Sequence, residues 1–311
     1  MGVLRQKYVT RQCLDFVASL DEAARRKVLE HFCSDRLTRK YYKVKEIFNR
    51  SAHDWNQTFY YMMLRTLDIG HNRKAYERLA EKVAYSNLLR EHTSVRSIEA
   101  MLIGASGLLD QFDDDDYILQ LKREAAHLLR KYNIEAMNAS EWRLVGIRPQ
   151  NHPVLRLAQV AAFLIHHNFI MTCILACRTP KQVEQLFCID PSPYWQRHFA
   201  SDEEAESTMR LGREKANIFG INLIVPLQFS YSEYVGDDAL FGHSIELLRA
   251  LRAENNTYMR QWYAAGILAH NAYESQALLQ ISREYCVPRL CDKCLIGRQL
   301  LDTPRDEAKQ E

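Results

Sequence analysis

The stretch DDDDYILQLKREAAHLLRKYN, residues 113–133, gives the clearest indication of the fold class. Aspartates ahead of a helix are favoured by the helix dipole and by capping of free backbone amides, so residues 113–116 indicate a helix start more strongly than a cation site. The apolar residues that follow recur every three or four positions, as in a helix with one buried face: Tyr117, Leu121, Ala125, Leu128 and Tyr132. The stretch therefore predicts an amphipathic helix packed against a core.

Helical signals dominate the rest of the chain as well. The sequence TPKQ at 179–182 is a capping box with a proline in the first helical turn. INLIVPLQFSY at 221–231 is the best strand candidate, but Pro226 in its middle favours a buried, kinked helix. GASG at 104–107 indicates close helix packing through small residues. Further helices are predicted at 54–68, 72–85, 95–109, 154–170, 238–253 and 257–285. The predicted fold class is all-α, an irregular multi-helix bundle with little or no sheet.

Length and composition limit the alternatives. A chain of 311 residues can bury a substantial core, and we predict a single helical domain over 1–311 that divides into sub-lobes 1–140 and 141–311. Lys and Arg number 41 against 39 for Asp and Glu, so the net charge does not point to nucleic acid and a basic surface must be local. The sequence contains no signal-peptide-like start and no apolar run of membrane-spanning length. We therefore expect a cytoplasmic protein without a membrane segment.

Three of the eight cysteines lie close together near the carboxyl end, in REYCVPRLCDKCLIG at 283–297. The C-x4-C-x2-C spacing of Cys286, Cys291 and Cys294 allows three thiolates to converge on one zinc ion or iron–sulfur cluster. Cys13 is the candidate for the fourth ligand, and it would clip the two ends of the chain together. The alternative is three ordinary thiols around a helix end.

A basic stripe lies in DRLTRKYYKVKEIFNR at 35–50, where helical spacing aligns four cations: Arg36, Arg39, Lys40 and Lys43. Such a stripe can lie along a phosphate backbone, although a solvated helix face is the simpler interpretation. We expect the four side chains to be largely exposed, because burying four unpaired cations costs more free energy than the net stability of one domain.

A polar cluster marks the junction between a predicted loop, 133–153, and the helix that follows it. RPQNHPVLRLAQ at 148–159 places polar side chains where a helix amino terminus can hold an anion: Arg148, Asn151, His152, Arg156 and Gln159. The plain alternative is that these residues hydrogen-bond a buried loop.

Five blocks of the sequence, in this order, resemble a bacterial family known as domain of unknown function 2851, which is typical of Bacteroidota. The blocks are IEAMLIGASGLLD (98–110), WRLVGIRPQNHPVLRLAQVAAFL (142–164), INLIVPLQFSY (221–231), AENNTYMRQWYAAGI (253–267) and SQALLQISREYCVPRLCDKCLIG (275–297). The resemblance runs from about Cys13 to Leu301. It carries the family's cysteine pattern onto Cys286, Cys291 and Cys294, with Cys13 matching an earlier single cysteine less closely.

The resemblance also implies a partner. Longer members of the family carry, ahead of the shared part, a nuclease-like region with GPDF-like and EIH-like motifs, and neither motif occurs in this sequence. The resemblance thus implies that this chain lacks the family's catalytic centre or works beside a nuclease-like partner protein.

Two functional hypotheses follow. The first is a helical binding module with a structural cysteine metal site, associated with nucleic acid. The second is an enzyme whose pocket is formed by the polar cluster at 148–159.

Overall fold

The structure is a computed structural model that describes residues 8–68, 70–167, 169–199 and 209–302. No β-strand occurs among these residues, so the all-α prediction is confirmed. The acidic sequence SDEEAES at 201–207, which by composition is expected to form a loop, lies outside the described residues. The helices are α1 Arg11–Ser19, α2 Glu22–Arg50, α3 Trp55–Leu67, α4 Arg73–Lys82, α5 Tyr85–Arg90, α6 Val95–Ala105, α7 Asp116–Lys131, α8 Pro153–His166, α9 Ile170–Ala176, α10 Pro180–Phe187, α11 Pro193–His198, α12 Arg213–Phe219, α13 Val225–Val235, α14 Asp238–Ala250, α15 Thr257–Ala264, α16 Ala272–Gln280 and α17 Leu295–Asp302.

Local capping accounts for the two helix starts that the sequence indicated most clearly. At α7 the Asp115 carboxylate accepts a hydrogen bond of 2.8 Å from the backbone N–H of Ile118. At α10 the Thr179 hydroxyl accepts from the backbone N–H of Gln182 at 3.3 Å, and the Gln182 side chain accepts from the Thr179 N–H at 3.0 Å. Each bond satisfies a backbone amide that has no partner inside the helix. Both predicted starts are confirmed.

The segment around Pro226 is helical and largely buried, as predicted, and a wider turn precedes the proline. Wider π-helical turns at Gly220–Ile224 join α12 to α13, and Pro226 lies in the first turn of α13. A proline inside a helix lacks an N–H and pushes back the carbonyl four residues earlier, so a widened turn gives it room. The side chain of Asn222 donates to the carbonyl of Ile218 at 3.2 Å within this turn.

The predicted helix at 257–285 is interrupted. α15 ends at Ala264, and Gly266 follows with a φ of 78°, a left-handed conformation that favours glycine. The chain then restarts at α16, where the Asn271 side chain accepts from the backbone N–H of Glu274 at 3.0 Å. A second π-helical segment, Ile281–Cys286, follows α16. The break arises because a left-handed glycine ends one helix and a new amino-terminal cap starts the next, although apolar residues continue across it.

The described chain divides into two compact units. The terminal unit comprises the described parts of Met1–Tyr42 and Phe241–Glu311, and the central unit comprises those of Lys43–Leu240. The division falls inside α2 and inside α14. These positions differ from those of the expected sub-lobes 1–140 and 141–311, and the single domain over 1–311 stays a prediction.

The core of the central unit is organised by α6, which packs against α7 and α8. A Cβ on Gly104 of α6 would lie 2.7 Å from the Cβ of Ala125 in α7, so the glycine permits this close contact, as GASG predicted. In α8 every residue from Pro153 to Leu164 is buried. A helix buried on all sides is ordinarily apolar, so Arg156 and Gln159 within it are unusual.

Membrane-spanning potential is limited in the described part of the chain. No single helix there is both long and apolar enough to cross a membrane, while the bent pair α8 and α9, which meet at 90°, passes that test jointly.

Candidate functional site

A cavity of about 830 Å³, the central cavity, lies in the central unit beside the start of α8. Four stretches that are distant in sequence form its walls. They are the end of α3 with the loop after it, the loop before α8, the first turns of α8, and the residues around the start of α12. The lining residues are Leu67, Asp68, Gly70, His71, Gly146, Ile147, Arg148, Gln150, Asn151, Leu155, Arg156, Gln159, Met209, Arg210, Gly212, Glu214, Lys215 and Ile218.

Arg156 is the most deeply buried cation of the cavity wall, with 9% of its surface exposed. Its guanidinium donates to the side-chain oxygen of Gln159 at 2.9 Å and to that of Asn151 at 2.6 Å. Gln159 in turn donates to the backbone carbonyl of Met209 at 2.6 Å. Two neutral amides therefore orient this guanidinium, and no carboxylate in the described residues forms an ion pair with it.

The loop after α3 is organised by Asp68. Its carboxylate accepts from the backbone N–H of Gly70 at 2.6 Å and from that of Asn72 at 2.9 Å. The Asn72 side chain then pairs with the backbone of Arg143, accepting from its N–H at 2.8 Å and donating to its carbonyl at 3.0 Å. These bonds hold the loop that precedes α8 against the loop that follows α3.

Lys215 enters the cavity from the first turn of α12. Its amine Nζ donates to the backbone carbonyl of Thr66 at 2.8 Å and to that of Leu67. Both carbonyls belong to the last turn of α3, where backbone acceptors lack partners inside the helix. Burial, assisted by the charge of Arg156 and opposed by that of Asp68, lowers the pKa of Lys215 to about 7. A substantial fraction of this amine is therefore neutral near pH 7.

The cavity wall carries an excess of positive charge. Its cationic side chains are Arg148, Arg156, Arg210 and, when protonated, Lys215, whereas its carboxylates are Asp68 and Glu214. Arg148 and Arg210 are exposed at the cavity mouth, and Arg156 lies at its inner wall. Guanidinium groups bind the oxygens of phosphate and carboxylate groups in a bidentate manner. The arrangement favours an anionic ligand.

The predicted polar cluster is largely brought together. Arg148, Asn151, Arg156 and Gln159 all line the central cavity. His152 does not, because its ring packs against Phe112 and Phe199 and its Nδ1 accepts from the N–H of Val154 at 3.3 Å, which caps α8. Burial, with a smaller contribution from the positive charge of His198, lowers the pKa of His152 to about 4.

Other cavity residues were missed in the sequence analysis. Asp68, His71, Arg210 and Lys215 lie far along the chain from 148–159, and no local motif joins them. For Lys215 a signal existed: it lies at helical spacing from the apolar residues Ile218 and Phe219. A lysine next to apolar residues on one helix face indicates a buried cation.

The basic stripe is less free than expected. In the terminal unit, Arg36 leaves only 12% of its side chain exposed, bonds to the side chain of Gln276 at 3.2 Å and pairs with Glu284 at 3.6 Å. The expectation of exposure is therefore wrong for Arg36, because acidic and amide partners from the carboxyl-terminal part of the chain offset its burial.

The other three stripe residues are in mixed surroundings. Arg39 is 52% exposed and also pairs with Glu284. The expectation of exposure is wrong for Lys40 too, because burial lowers the pKa of its amine to about 7. Lys43, in the central unit, is 34% exposed and pairs with Glu46 at 2.9 Å. Because acidic partners bind three of the four cations, little of the stripe's charge is unpaired, and its role in nucleic-acid binding stays a prediction.

The four candidate cysteines lie near one another in the terminal unit. The Cys286 thiol interacts electrostatically with those of Cys13, Cys294 and Cys291, and burial, with these neighbours, raises its pKa to about 12. The Cys294 sulfur accepts hydrogen bonds from the backbone N–H groups of Ile296 and Gly297. As arranged here, however, no group of three or more Cys, His, Asp or Glu side chains among the described residues could hold a metal ion. Zinc or an iron–sulfur cluster therefore stays a prediction.

Comparison with known proteins gives one family. A family model described as "Protein of unknown function (DUF2851)" matches residues 2–257, a range that contains every residue lining the central cavity but not Cys286, Cys291 or Cys294. No protein of curated function and no solved structure matches the chain. Since the match covers most of the sequence, the chain belongs to the DUF2851 family.

Proposed function

We propose that the protein is a binding module that holds a phosphate-bearing ligand of nucleotide size in the central cavity. The observation that carries this proposal is Arg156, a buried guanidinium that two neutral amides hold at the cavity wall. No described carboxylate forms an ion pair with it, and the charge of Asp68 acts on it only from a longer distance. A buried cation without a direct ion-pair partner is costly, and an anion bound beside it offsets that cost.

Size and geometry support the same ligand class. A volume of about 830 Å³ lies within the range of roughly 300–1,000 Å³ that is typical of small-molecule sites. Arg148 and Arg210 at the mouth add two more guanidiniums that can pair with phosphate oxygens. A free nucleotide and the terminal nucleotide of a strand present the same phosphate chemistry, so the nucleic-acid hypothesis becomes one arm of the test. A nuclease-like partner protein would supply the chemistry that such a module lacks.

Calorimetric titration with inorganic phosphate, a mononucleotide and 5′-phosphorylated short DNA and RNA tests the proposal. Arg156→Gln should weaken binding by at least about tenfold, because a charge-assisted hydrogen bond contributes roughly 1.5–3 kcal/mol. Arg148→Gln, at the exposed mouth, should lose about threefold or more without loss of stability. Arg123→Gln, an exposed arginine of the central unit that does not line the cavity, is the matched control.

The salt dependence separates the two ligand sources. Binding of strands but not of the mononucleotide, with a steep loss at higher salt, would place the phosphate on a nucleic acid. Absence of binding to every phosphate compound at low salt would overturn the proposal. Equal affinities for Arg156→Gln, Arg148→Gln and Arg123→Gln would overturn it too.

We also propose that Cys13, Cys286, Cys291 and Cys294 form a structural metal site that holds zinc or an iron–sulfur cluster. Their spacing and the electrostatic interactions among their thiols support this assignment. The sulfurs must move from the positions seen here to surround one ion. Metal binding would couple this movement to the stability of the terminal unit, because a ligand bound only by the folded state adds its binding energy to folding.

Elemental analysis of protein purified without oxygen or chelator should then find about one zinc ion, or iron with inorganic sulfide, per chain. Cys291→Ser should remove that metal and lower the melting temperature. Cys173→Ser, a half-buried thiol of the central unit, should leave metal content unchanged. Trace metal in the wild type, together with equal melting temperatures for the two variants, would show that the four residues are ordinary thiols.

A further inference from the structure

The two carbonyl acceptors of Lys215 leave one position on its nitrogen for a further group, which is an N–H in the ammonium form and a lone pair in the neutral amine. A neutral amine has two N–H donors and one lone pair, and the described structure provides two carbonyl acceptors for Nζ, those of Thr66 and Leu67. With both N–H groups engaged by the end of α3, the lone pair is left for another group. Since Lys215 lines the central cavity, that group can be a ligand inside the cavity.

The surroundings favour the neutral form. Burial is the main cause that lowers the pKa of Lys215 to about 7, the charge of Arg156 adds to the effect, and that of Asp68 opposes it. An ordinary lysine amine is almost wholly protonated at pH 7, and its lone pair is then unavailable. Buried lysines with a lowered pKa are the ones that act as nucleophiles toward carbonyl compounds.

We infer that Lys215 forms an imine with a phosphorylated aldehyde or ketone bound in the central cavity. This inference rests on the proposed phosphate-binding function and deepens it by naming the reactive group of the ligand. The guanidiniums of Arg148 and Arg156 hold the phosphate, and the amine of Lys215, which also lines the cavity and interacts electrostatically with Arg156, meets the carbonyl carbon. A cavity of this size accommodates both groups of one small molecule.

The reaction is balanced without an oxidant or reductant. The Nζ lone pair forms a bond to the carbonyl carbon as the π bond of C=O breaks, and one proton passes from the nitrogen to the oxygen to give a carbinolamine. The hydroxyl then accepts a second proton and leaves as water, while nitrogen loses its remaining proton and forms the C=N bond. The side chains of His71 and Glu214 line the same cavity and are suited to proton transfer. The products are the imine and one water molecule.

Borohydride trapping tests the inference. The full chain is incubated with pyridoxal 5′-phosphate or with pyridoxal, which differ only in the phosphate, reduced with borohydride, digested and mapped by mass spectrometry. We expect Lys215 to be the main site of the phosphorylated probe and to react at least about tenfold less with pyridoxal, because one charge-assisted contact contributes about 1.4 kcal/mol or more. Labelling should rise with pH and be half-maximal near pH 7.

Variants distinguish the possible outcomes. Lys215→Arg should abolish labelling in the cavity, and Lys181→Met, at an exposed lysine of the central unit, should not change it. Arg148→Gln should reduce labelling by the phosphorylated probe toward the level of pyridoxal. Normal phosphate binding with no adduct at Lys215 would overturn the imine while the proposed function stands. Equal labelling by both probes, with no phosphate binding, would overturn both.

Discussion

Gly107→Ala is expected to lower the free energy of unfolding by about 4 kcal/mol, because the new methyl group meets backbone that cannot move away. Gly107 has a φ of 74°, and a Cβ there would lie 2.0 Å from the carbonyl oxygen of Met137. Left-handed strain costs roughly 1–3 kcal/mol, and overpacking a core costs a similar amount. A urea titration followed by circular dichroism measures the change.

The clash is severe because the surrounding chain is held on both sides. The backbone N–H of Met137 donates to the carbonyl of Ala105 at 2.8 Å, and the indole N–H of Trp142 donates to that of Ser106 at 2.9 Å. Shifting Met137 would break these bonds and disturb the loop that leads to the central cavity.

Gly236→Ala is the matched control for Gly107→Ala. Gly236 also has a left-handed φ, 72°, at the end of α13, but nothing lies within 4 Å of the position that a Cβ would take there. Gly236→Ala should therefore lower the free energy of unfolding through backbone strain alone, by about 1 kcal/mol. If Gly107→Ala and Gly236→Ala lowered the free energy of unfolding equally, the close contact with Met137 would not add to the destabilisation caused by Gly107→Ala.

Lys215→Met should change how stability depends on pH. Between the pKa of about 7 in the folded protein and the ordinary value of 10.5, the unfolded chain binds a proton at Lys215 that the folded chain does not. Stability linked to this group therefore rises with pH through that window, by at most about 1.4 kcal/mol per pH unit. The variant lacks this contribution, so its stability relative to the wild type should fall by about 3 kcal/mol from pH 7 to pH 10.

Taking the difference between variant and wild type removes the contributions of other titrating groups, such as the buried thiol of Cys33, whose pKa burial raises to about 12. Urea titrations at several pH values provide the measurement. Lys181→Met, at an exposed lysine, should give a difference that does not vary over this range. A flat difference for Lys215→Met as well would mean that the amine is protonated in the folded protein and would weaken its case as a nucleophile.

Much of the fold could be predicted from local signals. The helix starts at Asp115 and Thr179 depend on bonds between residues three apart, and the interruption of regular α-helix next to Pro226 follows from the missing N–H of proline. Such interactions involve residues only a few positions apart, so they can be recognised directly in the sequence. The break at Gly266 was missed because an apolar repeat continues across it.

Part of the candidate site was predictable for the same reason. Arg148, Asn151, Arg156 and Gln159 belong to one loop and the helix that follows it, so their closeness in sequence placed them on one wall of the cavity. His152 lies among them in sequence but turns toward aromatic side chains, a choice that depends on Phe112 and Phe199. Local sequence placed the loop, and packing selected the side chains that face the cavity.

By itself, the sequence determined the all-helical class, the main helix boundaries and the family, all of which rest on short-range pattern. Tertiary structure alone decided which charges are buried and what they meet. Arg36 was expected in solvent and instead pairs with Glu284. Lys215 lines the cavity, where its amine donates to the backbone carbonyls of Thr66 and Leu67. The physical reason is that the free energy of a buried cation depends on partners more than a hundred residues away, and no local pattern records which partners folding will bring to it.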